Sequence, residues 1–363
     1  MYKICVYAIC KNEEAFVDRW MDSMQEADMV VVTDTGSADQ TANRLLARGA
    51  TVYTDIINPW RFDLARNISL SHVPEDIDIC VCTDLDEIFK PGWRQQLERA
   101  WTADATMGTY LYNWSHRPDG SPDVQFRYFK VHTREGYSWV YPVHECLRYK
   151  DPHAEKKIFI PGLVLDHYPD SKKSRSSYLP LLELAVQENP LSDRMTFYLG
   201  REYFFKGMCE QCVQTLEKYL ALPSSTWKEE RSAAMRLIGR CLDRMNNRAE
   251  AIGWMFRAIA EAPDMRDSYV ACAQLAYSQA NWPLTLCMCE LALRIKERSP
   301  TFINDGYAWD HTPYDLLSIA CFQLGMFERA HLEAQRALAM SPGDRRLMNN
   351  LKLIEARLAA NGR

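Results

Sequence analysis

The sequence predicts an α/β domain with a doubly wound, mostly parallel sheet, followed by an all-α helical-repeat domain. Three observations predict it. Short apolar runs alternate with helical stretches over the first 110 residues, only helical periodicity remains after about residue 170, and that helical half repeats along its length. At 363 residues, with 47% hydrophobic, 25% charged and 11% aromatic side chains, the chain is long enough for two compact units with sizeable cores. That composition excludes fibrous and low-complexity classes.

The elements follow in order. Residues 4–9 predict a buried strand, 13–26 an amphipathic helix, 29–32 a second strand, and 40–48 a helix closed by Gly49. A third strand at 51–53, a helix at 62–72 and a fourth strand at 77–82 complete the alternation. Strands apolar on both faces and joined by helices imply a parallel sheet covered on both sides. In such sheets ligands bind at the carboxyl ends of the strands, so the polar residues just beyond each strand are the candidates for chemistry. From 108 to 169 the pattern changes to strand and turn, with 108–115 and 123–131 flanking Arg117-Pro118-Asp119-Gly120, as in an added mixed or antiparallel part of the sheet. The polar, basic run Ser171-Lys172-Lys173-Ser174-Arg175 then predicts a hinge, which divides the chain into domains 1–170 and 171–363.

In the helical half, aligning Gly207, Asn246, Asn281 and Gly325 places Cys212, Ala251, Leu286 and Ala330 five residues later. Leu220, Ile259, Arg294 and Leu338 fall thirteen later, and the spacings are 39, 35 and 44. The last copy, Gly325-Met326-Phe327-Glu328-Arg329-Ala330 with Ala337-Leu338-Ala339-Met340-Ser341-Pro342, resembles the tetratricopeptide repeat, as does the second, Asn247-Arg248-Ala249-Glu250-Ala251 to Pro263. Small residues such as Ala251 and Ala330 suit the close crossing of two helices within one unit.

Charge and cysteine content narrow the function classes. The net charge of −5 offers no whole-chain attraction for a polyanion, and residues 1–170 carry 18 basic against 26 acidic side chains. An acidic half that holds a phosphorylated ligand needs a divalent cation or focused arginines. Long nucleic-acid contacts are disfavoured, a local patch at Lys172, Lys173 and Arg175 remaining open. No apolar run reaches the ~18 residues that cross a bilayer, and no signal-peptide pattern opens the chain, so a cytoplasmic protein is expected. The twelve cysteines are then expected as reduced core thiols; Cys209-x-x-Cys212 and Cys287-x-Cys289 each lack the second ligand pair of a zinc site.

Four clusters follow the predicted strands: Cys10-Lys11-Asn12-Glu13-Glu14, Asp34 to Thr41, Trp60 to Asn67, and Thr83-Asp84-Leu85-Asp86-Glu87. Asp84 and Asp86, two apart beyond a buried strand, can leave the strand end on one side and converge on a hard cation such as Mg²⁺ or Mn²⁺. Such a cation lets an acidic site accept a diphosphate and stabilises it as a leaving group. The glycine signatures of dinucleotide and P-loop sites are absent, as are a zinc-protease helix and a Gly-x-Ser-x-Gly elbow.

Residues 1 to about 170 resemble a family 2 glycosyltransferase of the GT-A fold, in the subgroup that carries tetratricopeptide repeats and includes peptide S-glycosyltransferases. The matching elements, in the family's order, are Lys11-Asn12-Glu13-Glu14, Asp34-Thr35-Gly36-Ser37-x-Asp39-x-Thr41, Phe62-x-x-Ala65-Arg66-Asn67, Asp84-x-Asp86-Glu87, Arg127-x-Phe129-Lys130, Val143-His144-Glu145 and His167-Tyr168. The resemblance implies a metal-dependent inverting transfer from a nucleotide-sugar, a UDP-sugar above all, with Mn²⁺ or Mg²⁺ as cofactor. It implies that Glu13 and Asp34 lie by the nucleoside, Arg66 by the nucleotide or its phosphates, Asp84 by the ribose or the metal, and Asp86 and His167 at the metal. His167 also reads as a capping histidine at a strand end.

An inverting displacement needs a base to take the acceptor's proton, and Glu145, after the rigid segment Trp139-Val140-Tyr141-Pro142-Val143, is the candidate. It alternatively bonds the donor sugar or orients His144, and Glu87 is a second candidate that reads better as support for the metal site. Arg127 reads either as an outer-face residue or as a contact in the site, and Tyr110, Tyr112 and Trp114 as one face of the sheet core or as a stacking platform. The acceptor, contacted by the repeats, is left open between a peptide or protein, a glycan and a modified nucleic acid. The alternative function is an interaction scaffold of tetratricopeptide type whose N-terminal domain is inactive, since repeat arrays bind peptides on concave surfaces.

Overall fold

All seven residues of β1 (Ile4–Cys10) are buried, the outcome expected for a central strand covered on both faces. In the computed structural model, which describes residues 2–117, 119–170 and 178–361, the chain divides into two units. The first is Met1–Glu188 with Pro300–Phe302, and the second Asn189–Ser299 with Ile303–Arg363.

In the first unit β1, α1 (Val17–Met24), β2 (Met29–Asp34), α2 (Thr41–Ala47), β3 (Thr51–Thr54), α3 (Phe62–Ser71) and β4 (Ile79–Cys82) alternate as the pattern predicts. β5 (Glu87–Phe89), α4 (Trp93–Ala100), β6 (Met107–His116), β7 (Pro122–Thr133), β8 (Tyr137–Val140), β9 (Cys146–Tyr149), β10 (Lys157–His167) and α5 (Tyr178–Glu188) follow. The eight-stranded mixed sheet runs β3-β2-β1-β4-β7-β6-β10-β5, and β8 with β9 forms a separate ribbon. β1 to β4 pair in parallel, whereas β7 lies antiparallel to both β4 and β6. Ile4, Val6 and Ala8 enter one core with Trp20, Met24, Trp93 and Leu97, while Cys5 and Tyr7 enter the other with Leu70, Cys80, Cys82 and Trp139. All twelve cysteines are free, most of them buried in such cores.

The strand expected at 51–53 forms as Thr51–Thr54 and is the sheet edge, so Thr51, Tyr53 and Thr54 are exposed. Helix α5 belongs to the first unit although it lies beyond the expected division at 170/171, and the hinge run 171–175 falls outside the described residues.

The second unit is built of helices: α6 (Asp193–Phe205), α7 (Cys209–Ala221), α8 (Lys228–Arg244), α9 (Arg248–Glu261), α10 (Arg266–Ser278), α11 (Trp282–Arg294), α12 (Thr312–Gln323), α13 (Phe327–Met340) and α14 (Arg345–Asn361). They pack as the hairpins α6–α7, α8–α9, α10–α11 and α12–α13, with α14 against α13. Each first helix ends on a residue of positive φ: Gly207 at 74°, Asn246 at 63°, Ala280 at 53° and Gly325 at 78°. This left-handed closure frees the chain to reverse. The third copy therefore starts its turn at Ala280 rather than Asn281, and Thr285, fully buried, takes the place of half-exposed Leu286 at the helix crossing.

Seven residues before each closing residue stand Gly200, Gly239, Ala273 and Ser318, small side chains where the two helices meet. A Cβ on Gly200 would lie 2.4 Å from Leu216 Cδ2, and one on Gly239 3.1 Å from the Ala251 carbonyl oxygen. The first helices α6, α8, α10 and α12 touch one another across successive hairpins more closely than the second helices do. An array whose first helices are the closer set bends toward them, so they form its inner face. Among the described residues no helix is long and apolar enough to cross a membrane.

Candidate functional site

Two polar assemblies stand out, one in each unit. In the first unit, the level register of β1 and β2, with Cys10 opposite Asp34, brings the loops after them together. Asp34 accepts from the Ser37 backbone N–H at 3.1 Å, and Ser37 Oγ accepts from the Asn12 N–H at 2.9 Å. The Glu13 N–H donates to Thr41 Oγ1 at 2.7 Å, and the Asn12 side-chain oxygen accepts from the Ala38 N–H at 2.7 Å. Gly36, at φ 100°, makes the turn possible. Glu13 and Asp34 thus sit buried in a stitched double loop at the carboxyl edge of the sheet.

Beside it, β4 delivers Asp84 into a knot of charge. Arg66 of α3 donates to Asp84 Oδ1 at 2.8 Å, to Glu145 Oε1 at 2.5 Å and to Cys82 Sγ at 3.3 Å, with its guanidinium 5.1 Å from the Trp139 ring centroid. Lys130 of β7 lies 3.0 Å from Asp84 Oδ2 and 3.6 Å from Glu87 Oε1. Tyr112 donates to Glu87 Oε1 at 2.7 Å, and Glu87 Oε2 accepts from the Asp84 N–H. Burial pushes the Asp84 carboxyl up, but Arg66 and Lys130 more than reverse this and hold it far below the usual carboxylate range. Burial works against the Lys130 ammonium, which Asp84 and Glu87 restore to well above its ordinary pKa. Burial raises Glu87, and Asp84 and Asp86 add to the rise against the pull of Lys130.

Asp86 stands apart from this knot. Its Oδ2 lies 3.5 Å from His167 Nε2, while His167 Nδ1 contacts the Trp114 carbonyl oxygen at 3.1 Å. Both ring nitrogens face oxygen acceptors, an arrangement that the protonated ring satisfies at both ends. The ring stacks on Trp114 at 4.5 Å, and although burial opposes its charge, the bond to Asp86 raises the His167 pKa.

The structure therefore gathers Arg66, Asp84 and Glu145 in one cluster and Asp86 with His167 in a second. The expected cation ligands Asp84, Asp86 and His167 do not form one set: Asp84 is committed to Arg66 and Lys130, and among the described residues no three His, Cys, Asp or Glu side chains gather as a metal-binding group. Glu145, the expected base, is the ion-pair partner of Arg66. Arg127 is exposed and stacks over Phe159 at 4.6 Å, the outer-face alternative. Tyr110 and Tyr112 are core, whereas Trp114 is 40% exposed. In the sequence Lys130 figures only within a motif; its role as the counter-ion of two carboxylates needs the antiparallel insertion of β7 beside β4.

In the second unit the inner face carries buried guanidinium groups on α8 and α10. Arg236 donates to the Ile303 carbonyl oxygen at 3.2 Å and lies 3.3 Å from Asp305 Oδ2. Arg240 donates to the Tyr307 hydroxyl, which in turn donates to Asp305 Oδ2 at 2.6 Å. Asp267 accepts from the Asp305 backbone N–H, and Arg266 stacks over Trp309 at 4.8 Å. Residues of α8 and α10 here hold a stretch of the connection between α11 and α12 by its backbone and its side chains alike.

The chain is thus a mixed α/β unit joined to an array of helical hairpins resembling tetratricopeptide repeats. No family model matches it, and no curated protein matches it. Among solved structures it is similar to MamA (19% identity over 48% of this chain and 96% of that one, TM-score 0.38) and to the first TPR domain of human RPAP3 (17% identity, 36% and 95%, TM-score 0.32). A thermophilic TPR protein of Thermus thermophilus matches with 14% identity over 49% of this chain and 89% of that one, at a TM-score of 0.37. The expectation of a metal-dependent inverting glycosyltransferase is not upheld: the similar structures named here are repeat proteins, they span at most 49% of this chain, and none of them is a sugar transferase.

Proposed function

We propose that this chain is a protein-interaction scaffold whose helical array takes an extended polypeptide segment along its inner face, between the side chains of α8 and α10. One observation carries the proposal: Arg236, Arg240, Arg266 and Asp267 already grip a stretch of chain outside the α-helices through a carbonyl oxygen, an amide N–H, a carboxylate and two aromatic rings. Arginines pre-set by burial are suited to this work, because little side-chain freedom remains to be lost on binding. In the first unit Asp84, Glu87 and Glu145 are engaged with Arg66 and Lys130, which supports a structural part for that cluster.

The test uses a photo-crosslinking residue in the intact chain, at Gln274 on α10 or at exposed Gln214 on α7, in the native cell. A protein adduct at position 274 and none at 214 is expected. No adduct at 274, or equal adducts at both positions, would remove the proposal.

A further inference from the structure

The stretch held on the inner face is part of the chain's own connection between α11 and α12. That connection spans residues 295–311, whereas the other joins between hairpins are the short runs 222–227 and 262–265. Helix–helix joins in such arrays commonly need ~2–8 residues, so this connection is longer than a reversal between two helices requires. From Ile303 to Trp309 it lies against α8 and α10 with a short 3₁₀ turn, Gly306–Ala308, at its centre.

Its fit is incomplete. Asp267 Oδ2, Arg266 Nε and Trp309 Nε1 are buried without a hydrogen-bond partner among the described residues, although all three belong to this contact. Leaving such groups unpaired is unfavourable, and a segment that satisfied Arg266 and Asp267 of α10 would hold the same face more tightly. A tethered segment needs little intrinsic affinity, since its effective concentration is on the order of mM.

We infer that residues 303–309 are an internal ligand, a strap that occupies the inner face and competes with an external segment of the same chemistry: a carboxylate followed two residues later by a tyrosine, with a further aromatic ring beyond. This rests on the scaffold proposal and adds what the face recognises and what keeps it closed. Asp305 and Tyr307 set the competition, because both meet the arginines of α8 and each supports the other.

The probe is a labelled peptide of the sequence Ile303 to Asp310, added to the intact chain and followed by fluorescence polarisation. Asp305→Asn with Tyr307→Phe keeps the strap's shape and removes its carboxylate from Arg236 and its hydroxyl from Arg240, so this variant is expected to bind the peptide at least tenfold more tightly than the native chain. A scrambled peptide should bind neither protein, and Arg240→Gln added to the variant should abolish the gain. Circular dichroism and melting confirm the fold, and Tyr307→Phe alone serves if the double variant unfolds. Equal binding to both proteins, binding to neither, or equal binding of the scrambled peptide would overturn the strap. An adduct at position 274 together with any of these results would leave the scaffold standing and remove only the strap.

Discussion

His132 sits at the end of a hydrogen-bond chain that admits only its neutral form, which makes the first unit acid-sensitive at a calculable cost. Its Nδ1 contacts the Thr133 carbonyl oxygen at 2.7 Å and so carries the proton. Nε2, at 2.8 Å from Tyr7 Oη, is then the acceptor of the phenol, and Tyr7 accepts in turn from Trp139 Nε1 at 2.9 Å. A proton on Nε2 would meet a hydroxyl whose own hydrogen has no other acceptor among the described residues. Burial lowers the His132 pKa from 6.5 to about 4. The unfolded chain therefore binds this proton near pH 6.5 and the folded chain only near 4, so stability is lost as pH falls through that window. At about 1.4 kcal/mol per pH unit the loss approaches ~3 kcal/mol by pH 4. Hydrogen exchange of the β1 amides between pH 4 and 7 reads the opening free energy of this core. His132→Gln is expected to flatten the dependence by that amount relative to the native chain, and parallel curves for the two proteins would refute the reasoning.

Three further outcomes are expected. Arg66→Ala leaves Glu145 without its ion-pair partner and Asp84 with Lys130 alone, so it should cost about 3–5 kcal/mol of stability in urea unfolding, and Glu145→Gln markedly less. Gly200→Val drives a branched side chain into Leu216 at the α6–α7 crossing and should destabilise the second unit by roughly 1–3 kcal/mol in a thermal melt, whereas the same change at exposed Gly343 should not do so through packing. Uridine diphosphate with Mn²⁺ should leave the melting temperature unchanged; stabilisation near the ~2.7 kcal/mol given by a hundredfold excess over Kd would show a nucleotide site that the scaffold proposal lacks.

The two architectures were legible because each is written in local periodicity. β1 is apolar at every position because both of its faces are covered, and the helical repeat shows as recurring small residues and turn-forming residues. A one-residue error entered at Asn281, where an asparagine suggests the turn but Ala280 takes the left-handed conformation. The small residues Gly200, Gly239, Ala273 and Ser318 were a stronger phase signal and were open to inspection in the sequence alone.

The polar residues were legible as strand-end candidates, but not in their partnerships. Asp84 and Asp86 are two apart in sequence, yet one faces Arg66 and Lys130 while the other faces His167. That division is set by β7 entering antiparallel beside β4, with β10 and β5 at the far edge, a pairing between segments too distant for any local pattern to specify. The same holds for the inner face of the helices. By itself the sequence determined where helices and strands form, because hydrophobic spacing acts over a few residues; only the tertiary structure decided which charge meets which, and that a stretch from 303 to 309 lies on Arg236 and Arg240, because those encounters depend on how distant segments pack.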